Sequence, residues 1–492
     1  MTNADASQPG SSAFNDQTTY ATTKRRCCLK CYDGNADANG WSWLAAGRGM
    51  MVMANIFISG SILWLASNEA GCFEDGKSTN EGSCNLRVHG FKPSSILTNI
   101  ATIAGLLSAF FMPIFGAIVD FLPYRRLAGV ITAIIITIIQ GVQIYTVEDT
   151  WLIMAILQGF AAFFYQLQIV SVYAYLPDIA REVGHTKMTR FTSNFTTVQF
   201  AAQSFFIVII AALGITLQAS PVAIAQYSQG INTVTCIILF GIGWFKFMTP
   251  RPAARTLPVG HNLLFAGFHQ NWQTAKDINK KYKAGLRWFF LALVFAEASA
   301  AAIITVSVIY LNDTLKLTPT EVSIFFLVTM VGSLPGTEIA FRVTSLTNPN
   351  TSWQLSMVAL VVVLTAGVLT LDMLPMYCTF IWAFLVGMNL GWFYPTENLF
   401  FSSCLPRGQE AECAGFFVWC TQIFGWFPPL LFTIMMEAGV QQKYGAIVTS
   451  LLFLVAVGLL RCTGSWQEII EECDQETAED GPNHLTLSDN IS

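Results

Sequence analysis

The sequence predicts an all-α integral membrane protein of twelve transmembrane helices in two six-helix halves. Three observations carry this prediction. Of 492 residues, 53% are hydrophobic and only 12% charged, about half the charged share of a soluble globular chain. Apolar stretches of roughly 17–25 residues, long enough to cross a ~30 Å hydrocarbon core, recur along the whole length. They show no period-2 alternation of the kind a membrane barrel requires, so helices must satisfy the backbone.

The spans fall near 45–67, 95–119, 127–147, 151–175, 197–217, 224–247, 288–311, 320–342, 353–372, 375–398, 413–436 and 444–461. Residues 1–40 are polar, with no basic start leading into an apolar core, so no cleaved signal peptide is expected. This stretch and the acidic segment 463–492 bury too little apolar surface to offset ordering entropy, and both are expected to be disordered tails. Between them lie an N-terminal half (41–247), a connector (248–287) and a C-terminal half (288–462). The net charge of −5 reflects acids clustered in the C-terminal tail, and no basic block points to nucleic acid.

With twelve crossings, Lys77, Arg87, Lys92, Lys316 and Lys443 fall on one side and the rest of the 26 Lys and Arg on the other. The positive-inside rule then puts both termini and the connector in the cytosol. Six helices, a basic connector and six more helices is the organisation of transporters built from two related halves. The connector is Pro-punctuated at first and then reads as an amphipathic helix lying along the inner surface.

The stretch GAIVDFLPYRR (116–126) closes the second span. Gly116 and Asp120 are one turn apart, so a neighbouring helix could approach at the glycine and present its end to the carboxylate. The stretch resembles the loop signature of the major facilitator superfamily, G-x-x-x-D followed by basic residues, with Pro123 where a glycine is usual. The resemblance implies the major facilitator fold and makes Gly116, Asp120, Arg125 and Arg126 a cytosolic gating latch; the alternative is a solvated inner loop.

A second stretch, PRGQEAECAGFF (406–417), is similar to the signature of the autophagy-related vacuolar amino-acid effluxer branch of that superfamily, through Pro406, Arg407, Gly408, Glu410, Ala411, Glu412, Gly415 and Phe416. YLPDIA (175–180) and Glu297 match the same branch. The first span, WSWLAAGRGMMVMANIF, departs from its pattern. Physically, Glu410 and Glu412 would also serve simply as first-turn carboxylates on a helix dipole.

Ionisable groups inside a bilayer are costly unless they face a cavity or a partner. Glu297 lies nine residues into its span, or ~13 Å at 1.5 Å per residue, and is the candidate for proton coupling or substrate-amine binding; the alternative is a protonated carboxyl bonded to a hydroxyl such as Ser299. Glu338 and Glu397 sit about a turn from helix ends, within expected reach of interfacial water, and Arg48 near the start of the first span. Asn55, Gln166, Gln199, Gln203 and Asn389 are candidate cavity amides, with Gln168, Tyr165 and Trp392 nearby.

Cys72 and Cys84 share the first outer loop and can bridge if that side is oxidising. CCLKC (27–31) lacks a fourth zinc ligand nearby and suits palmitoylation or free thiols. No metal site, phosphate-binding loop or catalytic cluster appears, so no cofactor and no enzymatic activity are expected. The resemblance implies a monomeric secondary transporter in the vacuolar membrane, with the lipid bilayer, a small solute and protons as partners. It would move neutral amino acids from the lumen to the cytosol. A carrier of sugars or organic anions, a plasma-membrane location, and a non-transporting receptor or scaffold are the alternatives.

Overall fold

The computed structural model describes residues 31–74, 77–78, 86–183, 185–253, 262–405 and 410–479. Twelve helical spans cross the body of the protein. The first six are α1 (Ala36–Glu69), α2 (Pro93–Phe121), α3 (Arg125–Val142), α4 (Trp151–Tyr173), α6 (His185–Leu217) and α7 (Pro221–Gly241), with the short α5 (Leu176–Val183) after the fourth. Then come the connector helix α8 (Leu263–Lys281) and the spans α9 (Leu286–Ile309), α10 (Pro319–Leu346), α11 (Pro349–Thr370) and α12 (Tyr377–Ser403). The eleventh span is split into α13 (Glu410–Ile423) and α14 (Phe427–Glu437), and α15 (Gly445–Leu460) completes the twelve. A last helix, α16 (Trp466–Glu479), follows.

Eleven of the spans are long and apolar enough to cross a membrane. The remaining one, α12, is 27 residues long but carries Asn389, Thr396, Glu397 and Asn398, which dilute its apolar content. The break in the eleventh span follows from Pro428 and Pro429 at the start of α14, which offer no backbone N–H to continue the preceding helix. Proline also opens α2, α7, α10 and α11, where the missing N–H costs nothing. Thr318 and Glu321 add a reciprocal capping box to α10.

In the N-terminal six, α1 is the central element, packed on α4, α6 and α7. In the C-terminal six, α9 packs on α13 and α15, and α10 lies along α12. The α10–α12 contact is glycine-mediated: a Cβ on Gly336 would collide with the Met388 carbonyl oxygen, and one on Gly387 with that of Thr329. Small residues let the two backbones touch, which is how helices associate where lipid removes the hydrophobic drive. The two sets of six meet along α2 against α13 and α14, and along α6 against α10.

Two expectations need correction. Residues 466–479 are not a disordered tail. They form an amphipathic helix whose Ile469 and Cys473 are buried, whose Trp466 ring packs on Phe400, and whose Glu472 carboxylate accepts from the Lys283 and Ala284 backbone N–H groups. At the other end, regular structure begins at Cys31 and α1 at Ala36 rather than near 45. Residues 1–30 and 480–492 lie outside the described residues.

Candidate functional site

Glu297 sits about eleven residues into α9, or ~16 Å along its axis. Ala296, Ala298, Ala300 and Ala302 are all buried around it, so α9 packs closely on its neighbours while the acid points toward the bundle interior. The Ser299 hydroxyl does not satisfy Glu297; it donates to the Thr449 carbonyl oxygen of α15 at 2.6 Å. The partner of Glu297 is Glu397 of α12, through a side-chain hydrogen bond between the two carboxyls. Glu397 is therefore not at interfacial water as its sequence position suggests: it is 3% exposed. Beyond that mutual bond, the buried Glu297 Oε1 and Glu397 Oε2 have no hydrogen-bond partner.

Two carboxyl groups that hydrogen-bond each other must share at least one proton, because like charges at that separation cannot both be ionised. Two tyrosines stand by the pair and a third beyond them. Tyr173 and Tyr394 lie within electrostatic range of both carboxyls, and Tyr165 within range of Tyr394. Arg48 lies within range of Tyr165 and Tyr173, with its guanidinium over the Trp41 ring at 4.7 Å and the Tyr173 ring at 6.0 Å. Since α1 begins at Ala36, Arg48 is about twelve residues deep, ~18 Å, and not at the helix start. Glu338 is exposed and paired with Arg342 on its own helix at 2.7 Å.

The amides divide by role. Asn55 Oδ1 accepts from Gln140 Nε2 at 3.2 Å, and Gln140 Oε1 accepts from Asn232 Nδ2 at 2.8 Å. Gln158 donates to Ser59 and to the Asn55 carbonyl oxygen. This buried chain ties α1, α3, α4 and α7 together. Gln168 bridges α3 and the end of the sixth span through Thr132, Gly129 and the Trp244 indole. Asn389 donates to Leu385 of its own helix, and Trp392 donates to Ser352. Gln199 and Gln203 flank Gly49 of α1. Gln166 Oε1 and Gln203 Oε1 are buried with no partner.

The residues of the expected latch are placed as follows. A Cβ on Gly116 would meet nothing within 4 Å, so no helix approaches there; the close approach is at Gly267 of α8 against Pro113 of α2. Arg125, 3% exposed, donates to Asp178 Oδ2 and to the Ala174 carbonyl oxygen, both at 2.8 Å. Arg126 caps the end of the sixth span, donating to the Trp244 and Phe245 carbonyl oxygens. Beside these groups Asp37 accepts from Thr249 and Arg251, and Arg251 also donates to Glu182. Burial alone would lower the Arg251 pKa, but the two carboxylates bonded to it hold it above the usual guanidinium value. Asp37, in the first turn of α1, falls in the 1–40 stretch expected from sequence to be a disordered tail.

Asp120, Gly116, Arg125 and Tyr173 line a cavity of about 250 Å³ at the end of the bundle that carries both termini, walled by α2, α4, α8 and α13. Cys72 is disulfide-bonded; Cys84, its expected partner, lies outside the described residues. So do Arg407, Gly408, Cys27 and Cys28. Glu410 and Glu412 fall in the first turn of α13.

Solved structures share this architecture. The chain superposes on a point mutant of the nucleoside transporter NupG with a TM-score of 0.60 at 10% identity, covering 86% of this chain and 99% of that one. It superposes on the inward-open xylose transporter XylE from E. coli with a TM-score of 0.59 at 11% identity, covering 89% and 99%. At these identities the likeness shows the fold alone. No curated protein sequence matches the chain. Residues 35–465, nearly the whole helical body, match the model of the "Vacuole effluxer Atg22 like" family, and the chain belongs to that family of transporters of the major facilitator fold.

Proposed function

We propose that this protein is a secondary active transporter that moves small neutral amino acids from the vacuole lumen to the cytosol by alternating access, coupled to protons through Glu297 and Glu397. The hydrogen-bonded pair of buried carboxyls carries this reading. Such a pair takes up or releases a proton as its surroundings change from one face of the membrane to the other, and it offers an ammonium group a counter-charge once the proton leaves. A gradient of one pH unit is worth about 1.4 kcal/mol per proton, roughly a tenfold concentration ratio, enough to drive export from an acidic lumen. The Lys and Arg asymmetry supports cytosolic termini, and the disulfide at Cys72 suits an oxidising compartment on the opposite face.

The test is uptake of labelled amino acids, sugars and organic anions into sealed proteoliposomes with and without an imposed pH gradient. Glu297→Gln and Glu397→Gln are each expected to abolish gradient-driven movement, and to weaken solute exchange at equal pH to a smaller degree, because one carboxyl of the pair remains to face the ammonium group. Unchanged pH-driven uptake in both variants would remove the pair from the mechanism. A protein that binds amino acids but moves none would act as a receptor.

A further inference from the structure

Among the described residues, Arg48 is an interior charge that no carboxylate neutralises. It is 2% exposed, its Nη1 is buried without a hydrogen-bond partner, and its neighbours are aromatic: the Trp41 and Tyr173 rings and, within electrostatic range, Tyr165. Cation–π contact orients a guanidinium and attracts it weakly, but does not replace an anion. A buried cation left this way is costly. Tyr173 is also within electrostatic range of the two carboxyls, whose buried oxygens Glu297 Oε1 and Glu397 Oε2 have no hydrogen-bond donor outside the pair itself. The interior thus holds a cation and a carboxyl pair that share Tyr173 as a neighbour, with no ion pair joining them among the described residues.

We propose that Arg48 binds the carboxylate of a zwitterionic solute whose ammonium group faces Glu297 and Glu397. This deepens the transport reading above and rests on it. A guanidinium presents paired N–H donors that match a carboxylate. A sugar would leave Arg48 uncompensated. A simple anion would satisfy Arg48 yet meet the ionised member of the carboxyl pair. Only a solute charged at both ends answers both, so the site requires a free carboxylate and a free ammonium on the same small molecule.

Competition for labelled leucine uptake by the full-length protein in proteoliposomes tests this. Leucinamide lacks the carboxylate and 4-methylpentanoate lacks the amine. Each is expected to compete about ten- to hundredfold more weakly than leucine, the loss set by one charge-assisted hydrogen-bonding partner. Arg48→Gln is expected to erase the preference for leucine over leucinamide, and Arg48→Lys to keep part of it. Leucinamide competing as well as leucine on the unmodified protein would overturn the proposal, as would a folded Arg48→Gln variant that retains the preference. If Arg48→Gln does not fold, the competition pattern of the unmodified protein decides. Movement of sugars or nucleosides with no amino acid transported would overturn this proposal and the amino-acid reading together; leucine transport with one-ended competitors fully effective would overturn this proposal alone.

Discussion

Arg125 shows what a buried charge does near the end of the bundle. Its side chain is 4% exposed and that of Asp178 is 21% exposed, so the pair is shielded and screening weakens it little. Removing the arginine leaves Asp178 only the exposed Arg181, at 3.3 Å, and frees the Ala174 carbonyl oxygen. Arg125→Ala is therefore expected to destabilise the protein by about 2–4 kcal/mol, and a cycle with Asp178→Ala to show a coupling of roughly 1–3 kcal/mol. Apparent melting in detergent measures both; additive effects would show that the two charges act separately. Both residues stand out in the sequence, Arg125 in the loop after the second span and Asp178 in YLPDIA, but no periodicity says they meet across loops 53 positions apart. Glu297 is legible because a carboxylate deep in an apolar run has few explanations. Glu397 and Arg48 are not, because their depth depends on where helices start and on what covers their ends.

At the scale of elements, α16 explains why Glu397 is misjudged. Distance from a helix end predicts access to water only if that end is open. Here Trp466 stacks edge-on against Phe400, and the Cys473 thiol donates to the Cys404 carbonyl oxygen, covering the end of α12. The covering helix has its own signature, Trp466, Ile469, Ile470 and Cys473 at i, i+3, i+4 and i+7, obscured by the surrounding acids. Ile469 is fully buried against Gly285, so Ile469→Ala is expected to cost about 2–5 kcal/mol and loosen the helix. A water-soluble maleimide should then label Cys404, which is fully buried and reduced in the native fold; mass spectrometry of the labelled peptide measures it. Protection of Cys404 equal to that of the unmodified protein would mean that α16 stays docked without Ile469. The twelve spans themselves are legible because apolar length is a strong signal. The break at 424–426 is a local matter of two prolines within an otherwise continuous apolar run.

At the scale of the molecule, the two ends of the bundle differ: one is packed shut and the other holds the cavity. Away from the termini, α2 and α14 are sealed together. Lys92 Nζ donates to the Met436 carbonyl oxygen and its backbone N–H to Glu437, Arg87 pairs with Glu437, and the Thr98 and Thr433 hydroxyls hydrogen-bond in a buried contact. A Cβ on Gly105 would strike the backbone of Trp426, so the close approach continues to the break before α14. At the terminus-bearing end a 250 Å³ cavity is lined by α2, α4, α8 and α13, with α8 touching α2 at Gly267 and Pro113. Alternating access requires the seal to open while the cavity closes, since packed interfaces switch between discrete arrangements instead of deforming continuously. Hydroxyls in direct contact place the Cβ atoms within disulfide reach, so the double variant Thr98→Cys with Thr433→Cys should cross-link on oxidation and hold the seal shut. Solute uptake into proteoliposomes is expected to stop on oxidation and return with reductant, while each single variant keeps its activity under the same oxidant. A cross-link confirmed by mass spectrometry that leaves uptake at its full rate would mean that α2 and α14 never part during transport, and that the solute enters by another route.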